Sequence, residues 1–215
     1  MKKRRKNIIS KCISLMLTMF LVSGCDGKDL HAENWEALSA YKAFLSQQSI
    51  MLEHAGQVLE VCPEEMLRFC IIYPTDEPAL LIESSMGVAG CYGWVYCYED
   101  GRVRKALDIR KPYERGSGYY ADSGFILSAE THQGYETKRF YDFALIPDYY
   151  SFGHMTLLGV YNEGPSDYDA YYTHNSIEIT EEDFDISVVD RIRGIELTRF
   201  ETIKNTPENR DEAFE

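Results

Sequence analysis

The residue pattern predicts an α+β fold: an antiparallel β-meander flanked by an N-terminal helix and C-terminal helices. Three observations predict it. "NWEALSAYKAFLSQQ" repeats apolar residues at helical spacing. From about Leu67 onward the chain changes to short runs of β-branched and aromatic residues divided by turns. Two helix-start signals, at Thr180 and Thr206, follow the last of those runs.

In the first helix, Asn34 is the expected N-cap, and Trp35, Leu38, Tyr41 and Leu45 form the apolar face with Phe44 alongside. "IMLEHAGQVLE" is expected to continue helically after a break. Strands are then expected at "RFCIIY", "LLIES", "CYGWVYCYE", "RVRKALDI", "GFILSAE", "ETKRFYDFAL" and "MTLLGVYN". Among their links, Asp100-Gly101 is a two-residue hairpin turn, because a type I′ turn needs φ > 0 at both central positions.

That turn sets a register. Tyr98 is expected opposite Val103, Trp94 opposite Leu107 and Tyr92 opposite Ile109, with Cys97–Arg104, Val95–Ala106 and Cys91–Arg110 on the other face. The stripe Tyr92, Trp94, Tyr96, Tyr98 therefore lies beside aliphatic residues, Lys105 excepted, and reads as a core face. Near the C-terminus, "ITEEDFDISVVDRIR" has Thr180 as N-cap with acids in its first turn. "NTPENRDEAFE" has Thr206 as N-cap and Pro207 at the first helical position.

The first residues carry a separate message. Lys2, Lys3, Arg4, Arg5 and Lys6 precede a mostly apolar run from Cys12 to Val22. Eleven residues are too few to span ~30 Å of hydrocarbon, which takes about 20. A basic head, a short apolar core and the small residues Ser23 and Gly24 make a cleaved export signal. "LVSGC" resembles the lipobox of bacterial lipoproteins, and the resemblance implies cleavage before Cys25 and a diacylglyceryl group on its sulfur. Two acyl chains hold a protein stably on a bilayer where one does so only marginally. The expected organisation is a signal peptide over residues 1–24, a lipidated tether over 25–33 and a single domain over 34–215.

Six of the 22 basic residues lie in that signal and none of the acids do. The mature chain thus keeps 16 Lys plus Arg against 35 Asp plus Glu, a net charge of −19. Such a surface repels nucleic acid and anionic lipid headgroups, so no nucleic-acid partner is expected and the membrane is met only through Cys25. Sixteen Tyr, ten Phe and two Trp argue for a packed core rather than disorder.

Beyond the anchor stand Cys62, Cys70, Cys91 and Cys97. Within one strand Cys91 and Cys97 lie ~20 Å apart at ~3.3 Å per residue, too far for a disulfide. Two disulfides would therefore pair Cys62 and Cys70 with them, and reduced thiols are the alternative.

From "RFCIIYPTDEPALLIES" onward the chain resembles lipid-anchored or secreted proteins of clostridial-type bacteria that have no established activity. Their pattern is a hydrophobic strand, an Asp-rich loop, and Pro-Glu-Leu opening the next strand. "THQGYETKRFY", "DAYYTHNSIEITEEDF" and "NTPENRDEAF" continue the likeness. The family loop is similar to a calcium loop. Here it is shortened to "PTDE" and has Ala79 in place of Glu, so Asp76 and Glu77 are adjacent acids that make a poor cage. A tight turn is expected there.

No nucleophile elbow, His-Glu-x-x-His, P-loop or dinucleotide fingerprint occurs. His132 flanks an expected Gln133-Gly134 turn with Tyr135 beyond it. Asp167 and Asp169, in the expected loop "EGPSDYDAYY", are alternate carboxylates. These four are the candidate binding residues, and no catalytic residue, cofactor or metal is assigned. The expected role is a non-enzymatic binding or interaction module, anchored outside the cytoplasm and meeting an envelope or extracellular ligand. Competing expectations are a hydrolase of envelope polymers and a calcium-stabilised surface module.

Overall fold

The computed structural model describes residues 30–54, 57–84, 92–110, 112, 116–132, 135–143, 154–164 and 167–215. Its contacts divide the chain into Met1–Trp35 and Glu36–Glu215, and the layered body lies within the second. The protein is an α+β chain built mainly from antiparallel sheets.

Helix α1 (Leu30–Leu45) begins ahead of Asn34, so that residue is helical rather than a cap. Its buried line is Ala37, Tyr41 and Leu45, each four residues from the next and so one above another on a single face. Trp35 lies off that line and is 59% exposed, which corrects its expected core role. The segment expected to continue the helix is instead a hairpin, β1 (Ile50–His54) with β2 (Gln57–Val61), in which Leu52 opposes Leu59. A short helix, α2 (Pro63–Met66), follows.

A five-stranded sheet comes next, from β3 (Leu67–Ile72), β4 (Ala79–Ser84), β5 (Tyr92–Glu99) and β6 (Arg102–Arg110), with its fifth strand, Ile203–Lys204, supplied from near the end of the chain. It is buried on both faces. One face carries Leu67, Phe69, Leu80, Ile82, Trp94 and Tyr96 toward α1, the β1–β2 hairpin and Phe214. The other carries Ile72, Ala79, Leu81, Val95, Leu107 and Ile109 toward Ile126 and Phe143 of the second sheet. Trp94 Nε1 and Lys105 Nζ both donate to the Glu53 carbonyl, at 3.0 and 3.1 Å, which holds the hairpin on the first face.

The expected turn is present, with φ of 49° at Asp100 and 74° at Gly101. Tyr98 opposes Val103, Cys97 opposes Arg104 and Tyr96 opposes Lys105. Beyond this the register shifts by one: Val95 opposes Leu107, Trp94 opposes Asp108 and Tyr92 opposes Arg110. Ala106 is the extra residue of a β-bulge. The bulge turns Leu107 and Ile109 away from the aromatic stripe and into the contact between the sheets. A sheet with two buried faces needs apolar residues on both, and strict alternation along β6 would supply only one. The aromatic stripe is a core face, but these two aliphatic residues are not its companions.

The second sheet has seven strands. They are β7 (Gly118–Tyr120), β8 (Phe125–His132), β9 (Tyr135–Asp142), β10 (His154–Gly164), β11 (Asp167–His174), β12 (Ile177–Glu178) and β13 (Leu197–Arg199). Strands adjacent in sequence are neighbours through most of each sheet, so the meander is divided between two sheets. On the outer face of the second sheet, Phe125, Leu127 and Phe140 meet Phe184 and Val188. These last two belong to a helical run of α3 (Glu181–Phe184), a π-helical turn (Asp185–Val189) and α4 (Asp190–Ile192). Arg191 fastens that run: its guanidinium pairs with Asp142, donates to the Ser123 carbonyl at 3.2 Å and lies 4.2 Å over the Phe125 ring.

The expected caps are in place. Thr180 accepts from the Asp183 amide at 3.1 Å, and Thr206 from the Asn209 amide at 3.3 Å at the start of α5 (Pro207–Ala213). The segment between these helices stitches the sheets together. β13 pairs with β7 in the second sheet, and β14 (Ile203–Lys204) pairs with β3 in the first.

Candidate functional site

The β3–β4 loop is pinned at both ends. Pro74 and Pro78 are buried. The Gly124 amide donates to the Pro74 carbonyl at 2.7 Å, and the Tyr41 hydroxyl donates to the Pro78 carbonyl at 2.9 Å. Gly124 takes φ of +80°, a conformation glycine adopts without a Cβ penalty, and its own carbonyl accepts from the Phe143 amide at 2.5 Å. Pro74, Gly124 and Phe143 thus form a backbone relay from one sheet to the other. Between the pins the Thr75 hydroxyl accepts from the Glu77 amide at 3.3 Å, a local turn that leaves Asp76 and Glu77 exposed.

Leu80 opposes Tyr96 in the next strand pair. Stepping outward along both strands brings the loop beside the end of β5. Here the structure forms a cavity of about 260 Å³. Its lining is Thr75, Asp76 and Glu77 from the loop, Cys97, Tyr98 and Glu99 from β5, and Phe143 from the end of β9. Two aromatic residues and three acidic residues thus border one space, Phe143 from the core between the sheets and Tyr98 from the edge of the first core. Glu99 shares its charge with Arg104, 3.6 Å away, and Arg104 also approaches Asp100 at 3.6 Å. Asp76 and Glu77 have no ion-pair partner among the described residues. Among those residues, too, no group of three or more His, Cys, Asp or Glu is placed to hold a metal ion.

Cys97 directs its thiol to the Arg104 carbonyl at 3.8 Å. No disulfide joins Cys62, Cys70 and Cys97, and Cys91 lies outside the described residues. Burial pushes the Cys70 thiol up to about 12, with the Glu83 and Glu201 carboxylates adding to it and a hydrogen bond with the Glu201 backbone opposing it. Cys70 is therefore a protonated core residue rather than a nucleophile. Burial also raises Tyr96, Tyr119 and Tyr120.

The four candidate residues read from the sequence lie on the second sheet. His132 opposes Tyr135, Tyr135 opposes Val160, and Val160 opposes Asp169, so three of the four occupy one row across β8 to β11. At ~4.8 Å per strand the row separates His132 from Asp169 by ~14 Å, too far to share a proton. Asp167 is outside the row, opposite Gly164 and beyond a register shift. Both aspartates belong to a strand rather than the expected loop, and Asp169 is exposed. None of the four lines the cavity.

Of the residues that do line it, only Asp76 and Glu77 stood out in the sequence. Cys97 read as a disulfide candidate, Tyr98 as core and Phe143 as an ordinary strand residue. The available signal was the meander itself, which returns the β3–β4 loop and the Asp100-Gly101 turn to the same end of the sheet.

No family model, curated protein or solved structure matches this chain.

Proposed function

We propose that the protein is a lipid-anchored binding module of the cell envelope. Cys25 is its anchor, residues 1–24 are removed on export, and the helices at either end flank the meander of its body. The reading rests on one observation above the others: the cavity of about 260 Å³ where the loop Thr75–Glu77, the end of β5 and Phe143 meet. Aromatic walls beside a few polar groups are the usual make-up of a ligand site.

The test has two arms. Wild-type protein from cells grown with radiolabelled palmitate carries the label and partitions into detergent, whereas Cys25→Ser does neither; equal behaviour of the two rejects the anchor. Saturation-transfer NMR with cell-wall peptide and glycan fragments addresses the pocket. Transfer that Tyr98→Ala and Phe143→Ala both abolish supports the site, and transfer that neither changes rejects it.

A further inference from the structure

We infer that the cavity takes an organic cation: the ammonium tip of a lysine-like side chain presented on a peptide or polymer. This rests on the cavity being the ligand site and adds the ligand's chemistry. Three features of the lining carry it.

The first is charge balance. Asp76, Glu77 and Glu99 bring three carboxylates to one opening, and no basic residue lines it among those described. Among the described residues, Arg104 approaches Glu99 and Asp100 at 3.6 Å each, and Arg102 opposes Glu99 across the hairpin, so the basic residues here fall to Glu99 and the turn. Asp76 and Glu77 have no ion-pair partner among the described residues, on a chain of formal net charge −13. An incoming anion meets repulsion from all three groups, and an incoming cation is drawn in.

The second is the walls. Tyr98, packed on the edge of the first core, and Phe143, in the core between the sheets, border the opening beside those acids, so its walls are apolar as well as acidic. Ring faces attract cations, and aromatic surface also receives the apolar stem on which an ammonium is carried. A bare metal ion gains nothing from such walls. It wants several oxygens converging on one point, and the described residues provide no such group.

The third is size. About 260 Å³ is below the ~300–1,000 Å³ of pockets that enclose drug-sized molecules, so the site suits the end of a side chain better than a whole cofactor. The loop backbone is pinned by the Pro74 and Pro78 carbonyl bonds, so the segment that carries Asp76 and Glu77 needs little ordering when a ligand arrives.

The experiment uses the full-length lipidated protein in nonionic detergent, with three probes: Nα-acetyl-lysine N-methylamide, its norleucine counterpart and its glutamate counterpart. Saturation-transfer NMR and calorimetry should show the lysine probe binding at least tenfold more tightly than norleucine, with no binding of glutamate. The double variant Asp76→Asn/Glu77→Gln should lose at least tenfold for lysine and nothing for norleucine. Both substitutions fall on exposed side chains, and an unchanged melting temperature verifies the fold. Equal affinity for lysine and norleucine, abolished by Tyr98→Ala, overturns the cation inference while leaving the pocket as a ligand site. Absence of binding by all three probes at 10 mM overturns the inference too, and the fragment experiment above then decides separately whether the cavity binds anything.

Discussion

Arg210 and Asn205 share one acceptor. The Leu45 carbonyl, in the last residue of α1, receives the Asn205 amide at 3.1 Å and Arg210 Nη1 at 3.5 Å. Arg210 Nη1 also donates to Asn205 Oδ1 at 3.0 Å, and Nη2 to Glu64 at 2.7 Å. A cation thus sits at the helix C-terminus, where unsatisfied carbonyls and the helix dipole favour positive charge.

Arg210→Ala is expected to cost about 2–3 kcal/mol, because it strips partners from buried polar groups around Asn205 and Leu45. Glu64→Gln should cost below about 1 kcal/mol, since the Glu64 side chain is 49% exposed and its pairing is screened. Urea denaturation of both variants checks the contrast. Equal losses would show that the ion pair, rather than the helix cap, dominates.

Gly118 permits a close approach of two backbones. A Cβ at that position would stand 2.2 Å from the Thr198 carbonyl oxygen, and backbone yields less readily than a side-chain tip. Gly118→Ala is expected to destabilise by about 1–3 kcal/mol and to loosen β13 from β7. Hydrogen exchange at Leu197–Arg199 should accelerate more than exchange in β4.

Ala106 is the one residue of β6 that β5 does not oppose. Deleting it leaves Lys105 opposite Tyr96 and Leu107 opposite Val95, so Leu107 and Ile109 keep their face toward the second sheet. The loss is confined to the buried Ala106 methyl and the local twist, so the deletion should cost about 1–3 kcal/mol and retain a cooperative thermal transition. Loss of that transition would show that the bulge itself, rather than the facing of Leu107 and Ile109, holds the sheets together.

Alkaline pH should weaken the fold through Cys70. Its thiol is raised from the ordinary 9.0 to about 12, so the folded state holds the proton more tightly than the unfolded chain. The associated stability is fully present below about pH 9 and is lost as pH climbs toward 12. The ceiling is ~4 kcal/mol for a shift of this size. Urea midpoints at pH 8, 9.5 and 11 should fall more steeply for wild type than for Cys70→Ala. Parallel falls would refute the assignment.

All seven strands read from the sequence are present, because each packs at least one face against a core and carries that face as an apolar run. The Asp100-Gly101 turn and the Thr180 and Thr206 caps were legible because backbone geometry at such points demands specific residues. Residues 50–61 were not: apolar residues at 50, 52, 59 and 61 suit either period, and docking on Trp94 decides for a hairpin. β11 was hidden by its acids, which an exposed strand tolerates. β13 and β14 are too short to carry a pattern, and their pairing depends on Gly118 and Phe69 far away in the chain. The candidate site was half legible. Asp76 and Glu77 stand out as adjacent acids, but a pocket assembled from three separate segments leaves no local motif.

The stitching by residues 197–204 sets an order on assembly. Before that segment docks, β3 and β7 each present an unpaired rim of amides and carbonyls. Phe69 also lacks the Phe214 ring that stacks on it at 5.6 Å. A chain emerging amino end first therefore passes through a half-built stage whose sheets are open to pairing with strangers. Its safe maturation depends on how quickly the closing segment is delivered.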